Sequence, residues 1–178
     1  VGHAGPIWAM KFSPDGKYLA TGGEDRLVIV WKVNFANWSN MAQNKSFWSE
    51  DSDSTKFPTL FSNSDKDVNI FIKYRTFELH NDDIIDLCWL GPSRPTTLMS
   101  SSMDKTVRIW DVTGKLEYDE ELQESAVIFE DQIHIKTLRH ESAVTYIDYN
   151  PLFPDIIACG CFSGHIRLWN IGYIDPVK

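Results

Sequence analysis

Cysteine is scarce in this 178-residue chain: Cys88, Cys159 and Cys161 make an odd count, and all three sit in apolar segments. Three thiols cannot build the disulfide lattice that small secreted domains use in place of a large core, so the sequence predicts reduced cysteines and a cytoplasmic setting. Cys159-Gly160-Cys161 has no second ligand pair at zinc spacing and reads as packing. Basic residues are also short, at 17 Lys and Arg against 25 Asp and Glu, for a net charge of −8. A nucleic-acid binder needs a basic face to displace counterions from phosphates, and that balance disfavours one. No apolar run approaches the roughly 20 residues that span a bilayer, which argues against direct membrane insertion. No charged and apolar leader opens the chain, and a start at Val1-Gly2-His3 reads as cut from something longer. Alanine-rich helical stretches are missing too. Aromatics are not: 7 Trp, 6 Tyr and 10 Phe favour strands, where flat and β-branched side chains pack on a pleated surface.

What is present is a repeat. His3 is followed by Gly22-Gly23-Glu24-Asp25-Arg26 and a strand-like run ending at Trp31. His80 is followed by Ser101-Ser102-Met103-Asp104-Lys105 and a run ending at Trp110, and His140 by Gly160-Cys161-Phe162-Ser163-Gly164 and a run ending at Trp169. The His-to-Trp separations are 28, 30 and 29 residues. Self-similarity at a fixed period is the signature of a stacked repeat architecture. Within each unit, alternating apolar runs are separated by turn residues such as Ser13-Pro14-Asp15-Gly16, which predicts an antiparallel meander of short strands. The predicted strands are Ile7–Phe12, Tyr18–Gly22 and Leu27–Val33, then Ile84–Trp89, Thr97–Ser101 and Thr106–Val112, then Val144–Tyr149, Ile156–Gly160 and His165–Ile171. Fourth strands are expected at Ile72–Phe77 and Ile133–Leu138, before the next His.

Gly2-His3 with Trp31-Lys32, Leu79-His80 with Trp110-Asp111, and Arg139-His140 with Trp169-Asn170 resemble the Gly-His…Trp-Asp signature of WD repeats. The resemblance implies an all-β fold: four-stranded blades of a WD40 β-propeller around a central channel, here three of them, the last incomplete. Blade 1 spans about 3–78 with an insert at 34–71, blade 2 about 79–139 with an acidic insert at 113–133, and blade 3 about 140–178. Three blades do not close a ring when known propellers have roughly 4–8, so a larger parent propeller is expected. The segments His3–Ser13, Asp83–Trp89 and Ser100–Trp110 also resemble repeats of Rab-GTPase-binding WD-repeat proteins, which act in recycling-endosome traffic.

The same resemblance implies a buried polar set in each blade, at His3, Thr21, Asp25 and Trp31 and again at His80, Ser100, Asp104 and Trp110. Blade 3 departs from it: Cys159 stands in place of the Ser or Thr and Ser163 in place of the Asp. That leaves His140 and Trp169 without their usual link, and this blade is expected to be the weakest. The family further implies partner-facing rim positions at Glu24, Met103 and Phe162, beside Pro6, Trp8, Asp82, Asp83 and Ser142.

A Ser, a His and an Asp in one network also describe a hydrolase triad. Here the trio recurs at the repeat period, and neither a Gly-x-Ser-x-Gly elbow nor an oxyanion-hole sequence accompanies it. The five histidines show no ligand spacing, and no glycine-rich loop ends in a phosphate-binding lysine. The expectation is a chain without catalytic residues, cofactor or metal.

The Trp31–Trp110 and Trp110–Trp169 intervals are 79 and 59 residues, against roughly 40–45 for an ordinary repeat. The first insert is rich in Ser, Asn and Asp but also holds Phe35, Trp38, Phe47, Trp48, Phe57, Leu60 and Phe61, too many large apolar side chains for a free linker. The second carries seven carboxylates against Lys115, which is six of the chain's eight net negative charges. Its default reading is a solvated loop, its bolder one a docking site for a basic segment. The function expected from all this is a protein–protein interaction scaffold. A regulator of vesicle traffic binding a Rab-type small GTPase is the narrower alternative, and an RNA-associated propeller subunit is disfavoured by the acidity.

Overall fold

The structure, a computed structural model, describes residues 2–36, 70–114 and 134–172. Most of both inserts lies outside these ranges, including the aromatics Trp38 to Phe61, the acidic run from Glu117 to Asp131, and the Ser/Asp stretch 49–55. Among the described residues there are eleven strands: β1 Ile7–Phe12, β2 Tyr18–Gly23, β3 Val28–Val33, β4 Phe71–Phe77, β5 Ile84–Trp89, β6 Thr97–Ser102, β7 Thr106–Asp111, β8 His134–Arg139, β9 Val144–Tyr149, β10 Ile156–Cys161 and β11 Ile166–Asn170. They form antiparallel sheets in the orders β1-β2-β3-β4, β5-β6-β7-β8 and β9-β10-β11. The described residues form an all-β architecture of three antiparallel blades. Strand ends coincide with the predicted ones or differ by one residue, because the turn hydrogen bonds set where pairing stops.

The three blades share fine detail. The residue after the turn carboxylate or serine is left-handed each time, at φ 67° for Arg26, 69° for Lys105 and 83° for Gly164. In each blade the first strand carries an irregular register at one position, which leaves Trp8, Ile85 and Thr145 without a regular partner on the second strand. A bulge of this kind re-aims a side chain near the end of a sheet.

Each sheet has two apolar faces, and the blades bury them against one another. The first strand of a blade lies across the first two strands of the blade before it: β5 on β1 and β2, β9 on β5 and β6. Ile84, Leu87 and Trp89 of β5 share one core with Ala9, Ala20, Val28, Val30 and Phe77 of blade 1. Val144 and Ile147 of β9 share the next with Met99, Val107, Ile109 and Leu138 of blade 2. Polar ties cross the same seams. Trp89 Nε1 donates to the Lys11 carbonyl at 3.0 Å, Arg75 Nη2 to the Gly114 carbonyl at 2.8 Å, and the Ile147 amide to Asp86 Oδ2 at 3.0 Å. Phe77 stacks on Trp110 with ring centroids 4.7 Å apart.

Gly22 shows how close the first seam is. A Cβ there would meet Ile84 Cγ2 at 2.6 Å, whereas at the matching Gly160 of blade 3 its nearest neighbour is Tyr146 Cβ at 3.5 Å, within the same blade. Gly22→Ala is therefore expected to destabilise by about 1–3 kcal/mol through overpacking, and Gly160→Ala by less than about 0.5 kcal/mol. Chemical denaturation of both variants checks this, and equal losses would refute the seam as the cause.

Candidate functional site

The polar set of blade 2 is assembled by two strands, the turn between them and the loop before the first strand. Trp110 Nε1 on β7 donates to Ser100 Oγ on β6 at 2.8 Å, and Ser100 Oγ lies 2.7 Å from His80 Nε2. His80 Nδ1 lies 2.8 Å from Asp104 Oδ2. The carboxylate can only accept, so Nδ1 carries a proton, and with the ring neutral Nε2 accepts from the serine. Each hydrogen of the chain then has one acceptor. Asp104 also accepts from the Asn81 amide at 3.0 Å, the Thr106 amide at 2.9 Å and Thr106 Oγ1 at 2.6 Å. Burial alone would raise the Asp104 carboxyl, but the bonds from His80, Thr106 and Asn81 outweigh it and hold it well below the usual range.

Blade 1 repeats the arrangement. Trp31 Nε1 donates to Thr21 Oγ1 at 2.9 Å, Thr21 Oγ1 is 2.7 Å from His3 Nε2, and His3 Nδ1 is 2.9 Å from Asp25. Asp25 also takes the Ala4 amide at 2.9 Å and the Leu27 amide at 3.2 Å. Burial opposes ionisation here as well, and the bonds from His3, Ala4 and Leu27 again bring the carboxyl below its ordinary value. Carboxylate and imidazole are nearly buried in both blades, with no more than 8% of either side chain exposed. The chain of bonds ties a turn, two strands and the preceding loop together.

Blade 3 corrects the expectation that His140 and Trp169 are unlinked. With no hydroxyl at Cys159 to stand between them, Trp169 Nε1 donates directly to His140 Nε2 at 3.0 Å. The ring centroids are 5.5 Å apart, against 6.2 Å for His80 and Trp110. Nε2 accepts, so the proton of the neutral ring sits on Nδ1, which is buried and has no hydrogen-bond partner. Ser163 is turned elsewhere, with its Oγ 3.0 Å from both Ser142 Oγ and His165 Nδ1. Burial pulls the His140 pKa down, the Arg167 charge adds to the effect, and the backbone groups of Leu138 and Lys105 offset part of it. Burial also pushes the Cys88 and Cys159 thiols up to about 12, so neither is a thiolate nucleophile at neutral pH. Among the described residues no group of three or more His, Cys, Asp or Glu is placed to hold a metal ion.

The rim positions fall on the loop before each first strand and the turn before each third, apart from Trp8, which is the second residue of β1. Pro6, Trp8, Glu24, Asp82, Met103 and Phe162 are exposed, while Asp83 and Ser142 are half-buried. One backbone bond repeats beneath them: the Glu24 amide donates to the Pro6 carbonyl at 3.0 Å, Met103 to Asp83 at 2.9 Å, and Phe162 to Ala143 at 2.8 Å. The rim is thus stitched to the first strand in every blade. Sequence reasoning missed Asp86, the buried carboxylate joining blades 2 and 3, whose carboxyl burial raises above the ordinary value. An aspartate inside the apolar run Ile84–Trp89 was the available signal.

A family model for the WD domain, G-beta repeat, matches residues 1–32, 72–111 and 132–170. WD repeat-containing protein 44 of Xenopus laevis is 30% identical over 95% of this chain and 18% of its own length. Protein HIR1 of Yarrowia lipolytica is 33% identical over 62% of this chain and 9% of its own. An uncharacterized WD repeat-containing protein of Schizosaccharomyces pombe, C18H10.05, is 28% identical over 93% of this chain and 23% of its own. The chain thus spans less than a quarter of the length of these curated relatives.

Asp104→Ala would strand the His80 Nδ1–H and the Asn81 and Thr106 amides, and is expected to cost about 1–3 kcal/mol in a denaturant melt. Acid separates the blades. An imidazole whose folded pKa is depressed stabilises the fold above its ordinary 6.5 and loses that contribution as pH falls through it. A carboxylate held low, as at Asp104, gives up its share only below its ordinary 3.8. Thermal melts between about pH 7.5 and about pH 5 should therefore fall through His140. Ser163→Asp, by giving Nδ1 an acceptor, should flatten that slope; an unchanged slope would rule out His140 as its source.

Proposed function

This chain belongs to the WD domain, G-beta repeat family, and from that premise we propose that its rim is the partner-binding face of a protein–protein interaction scaffold working in the cytoplasm. WD repeats imply such a scaffold in general. The observation that carries the particular reading is the repeated rim bond: apolar groups, Met103 and Phe162, stand exposed on turns pinned to the loop before the first strand, and Trp8 stands exposed at the bulge of β1 in blade 1. Solvent-facing aromatics on a rigid support lose little entropy on binding, which is the composition of a contact hot spot. The buried polar sets hold the blades in shape, and we assign them no chemistry. The acidic balance of the chain disfavours a nucleic-acid partner.

For the partner we propose a small GTPase of the Rab type. What supports this is the resemblance of His3–Ser13, Asp83–Trp89 and Ser100–Trp110 to the repeats of Rab-binding WD proteins. The test is retention of purified Rab-type GTPases, loaded with GDP or with a non-hydrolysable GTP analogue, on the immobilised chain. Retention in the GTP-like state is expected, weakened at least about tenfold by combining Trp8→Ala, Met103→Ala and Phe162→Ala, with the thermal melt unchanged. No retention in either state ends the GTPase reading. Retention indifferent to the triple variant removes the rim from it.

A further inference from the structure

The middle blade carries a positive corner that its neighbours leave unpaired. On β7 and β8, Thr106 stands opposite Arg139 and Arg108 opposite Thr137. Residues opposite one another across two strands share a face, and so do residues two apart along a strand. Arg108 and Arg139 therefore lie diagonally on the same side of the hairpin. Arg108 Nη1 donates to Thr137 Oγ1 at 3.2 Å, and Thr137 Oγ1 lies 2.9 Å from His134 Nε2. The threonine hydroxyl is thereby engaged on both sides. Arg108 Nε is buried without a hydrogen-bond partner. Burial lowers the Arg108 pKa, the charge of Asp104 opposes that, and the charge of Arg139 adds to it. Lys105, exposed on the turn that leads into β7, brings a third cation to the same corner.

The matching place in blade 3 shows what blade 2 lacks. Arg167 stands two residues before Trp169, as Arg108 does before Trp110, and its Nη2 donates to Glu141 Oε1 at 3.2 Å. Glu141 follows His140, whereas the residue that follows His80 is Asn81, exposed and uncharged. Blade 2 therefore keeps the guanidinium and lacks the carboxylate. Among the described residues the ion pairs of lysine and arginine are Lys17 with Asp15, Arg94 with Asp155 and Arg167 with Glu141. None of them takes Lys105, Arg108 or Arg139. Asp104 does not serve instead, since its oxygens already accept from His80, Asn81 and Thr106. Blades 1 and 3 flank this blade, and neither supplies the anion. The chain has 25 Asp and Glu against 17 Lys and Arg, so the pair is not missing for want of carboxylates.

One carboxylate satisfies one guanidinium in blade 3. Two guanidinia and an ammonium at one corner suit a dianion with three acceptor oxygens better, because each oxygen can take a charge-assisted N–H bond. We propose that Arg108 and Arg139, with Lys105, form a binding site for a phosphorylated side chain of a partner protein. The net charge of −8 repels an anionic bilayer, which favours a phosphoprotein over a lipid headgroup. The site rests neither on the apolar rim residues nor on the partner being a GTPase.

The test is titration of the chain with acetyl-phosphoserine methylamide at about pH 7.5, where the phosphate is a dianion. Binding is followed by the side-chain Nε–H resonances of Arg108 and Arg139. Both are expected to shift and to saturate at probe concentrations on the order of 10 mM. Arg139→Gln, read at Arg108, should weaken binding at least about fivefold. Asn81→Glu offers Arg108 the carboxylate that Glu141 gives Arg167 and repels the dianion, and should weaken it at least about fivefold as well. Both positions are exposed, so thermal melts should not fall. Acetyl-glutamate methylamide supplies the single-carboxylate comparison, and phosphatidylcholine vesicles carrying phosphatidylinositol phosphate the lipid one. Equal affinity for the glutamate probe overturns the dianion assignment. Binding to the vesicles without binding to the phosphoserine probe overturns the phosphoprotein reading and gives the site to a lipid. A shift that grows without saturating, or an affinity indifferent to both variants, overturns the site itself.

Discussion

Two-faced burial is the constraint on which the structure depends. A sheet of four short strands with apolar residues on both faces exposes a surface wherever one face meets water, and stacking against another such sheet removes it. Here the first strand of each blade supplies the stripe and the preceding blade supplies the bed, from Ala9, Ala20, Val28 and Val30 under β5 to Met99, Val107 and Ile109 under β9. Blade spacing, the glycine at position 22 and the indole bond from Trp89 to Lys11 all belong to that single contact.

Within a blade the polar set does different work. Strands alone would leave the tight turn and the preceding loop free to move, and the bonds from Trp110 through Ser100 and His80 to Asp104 hold both against the sheet. Because every hydrogen in the chain has an acceptor, its groups can be buried without an orphan. Blade 3 shows what happens when two members are lost: the indole closes on the imidazole, the serine bonds sideways to Ser142 and His165, and one buried N–H is left over. Three links from indole to carboxylate are reduced to one, yet the blade keeps its shape, because the hydrophobic seam beneath it is intact.

The rim follows from both. Glu24, Met103 and Phe162 occupy the same place in three turns whose carboxylate or serine is fixed below, and each donates its amide to the loop before the first strand. Side-chain identity is free to vary there, acidic in blade 1 and apolar in blades 2 and 3, while the backbone does not. That separation of rigid support from variable surface is what a recognition face requires.

The repeat, the strand pattern and the membership of each polar set in blades 1 and 2 were legible in the chain itself. They rest on local signals: His and Trp at a near-constant spacing, turn residues at fixed offsets, and alternating apolar positions whose period a strand imposes. The substitutions of Cys159 and Ser163 were equally visible, but not their consequence. Whether Trp169 reaches His140 directly depends on how far two rings move when the hydroxyl between them is missing. Asp86 likewise reads as an oddity in an apolar run until blade 3 brings the Ile147 amide to within 3.0 Å. Gly22 and Gly160 look alike in sequence, and only the packing of Ile84 separates them. Local pattern determined which residues form a blade; contacts between residues as much as 78 positions apart decided what each blade face meets, because apolar burial and hydrogen-bond reach act through space and carry no mark along the chain.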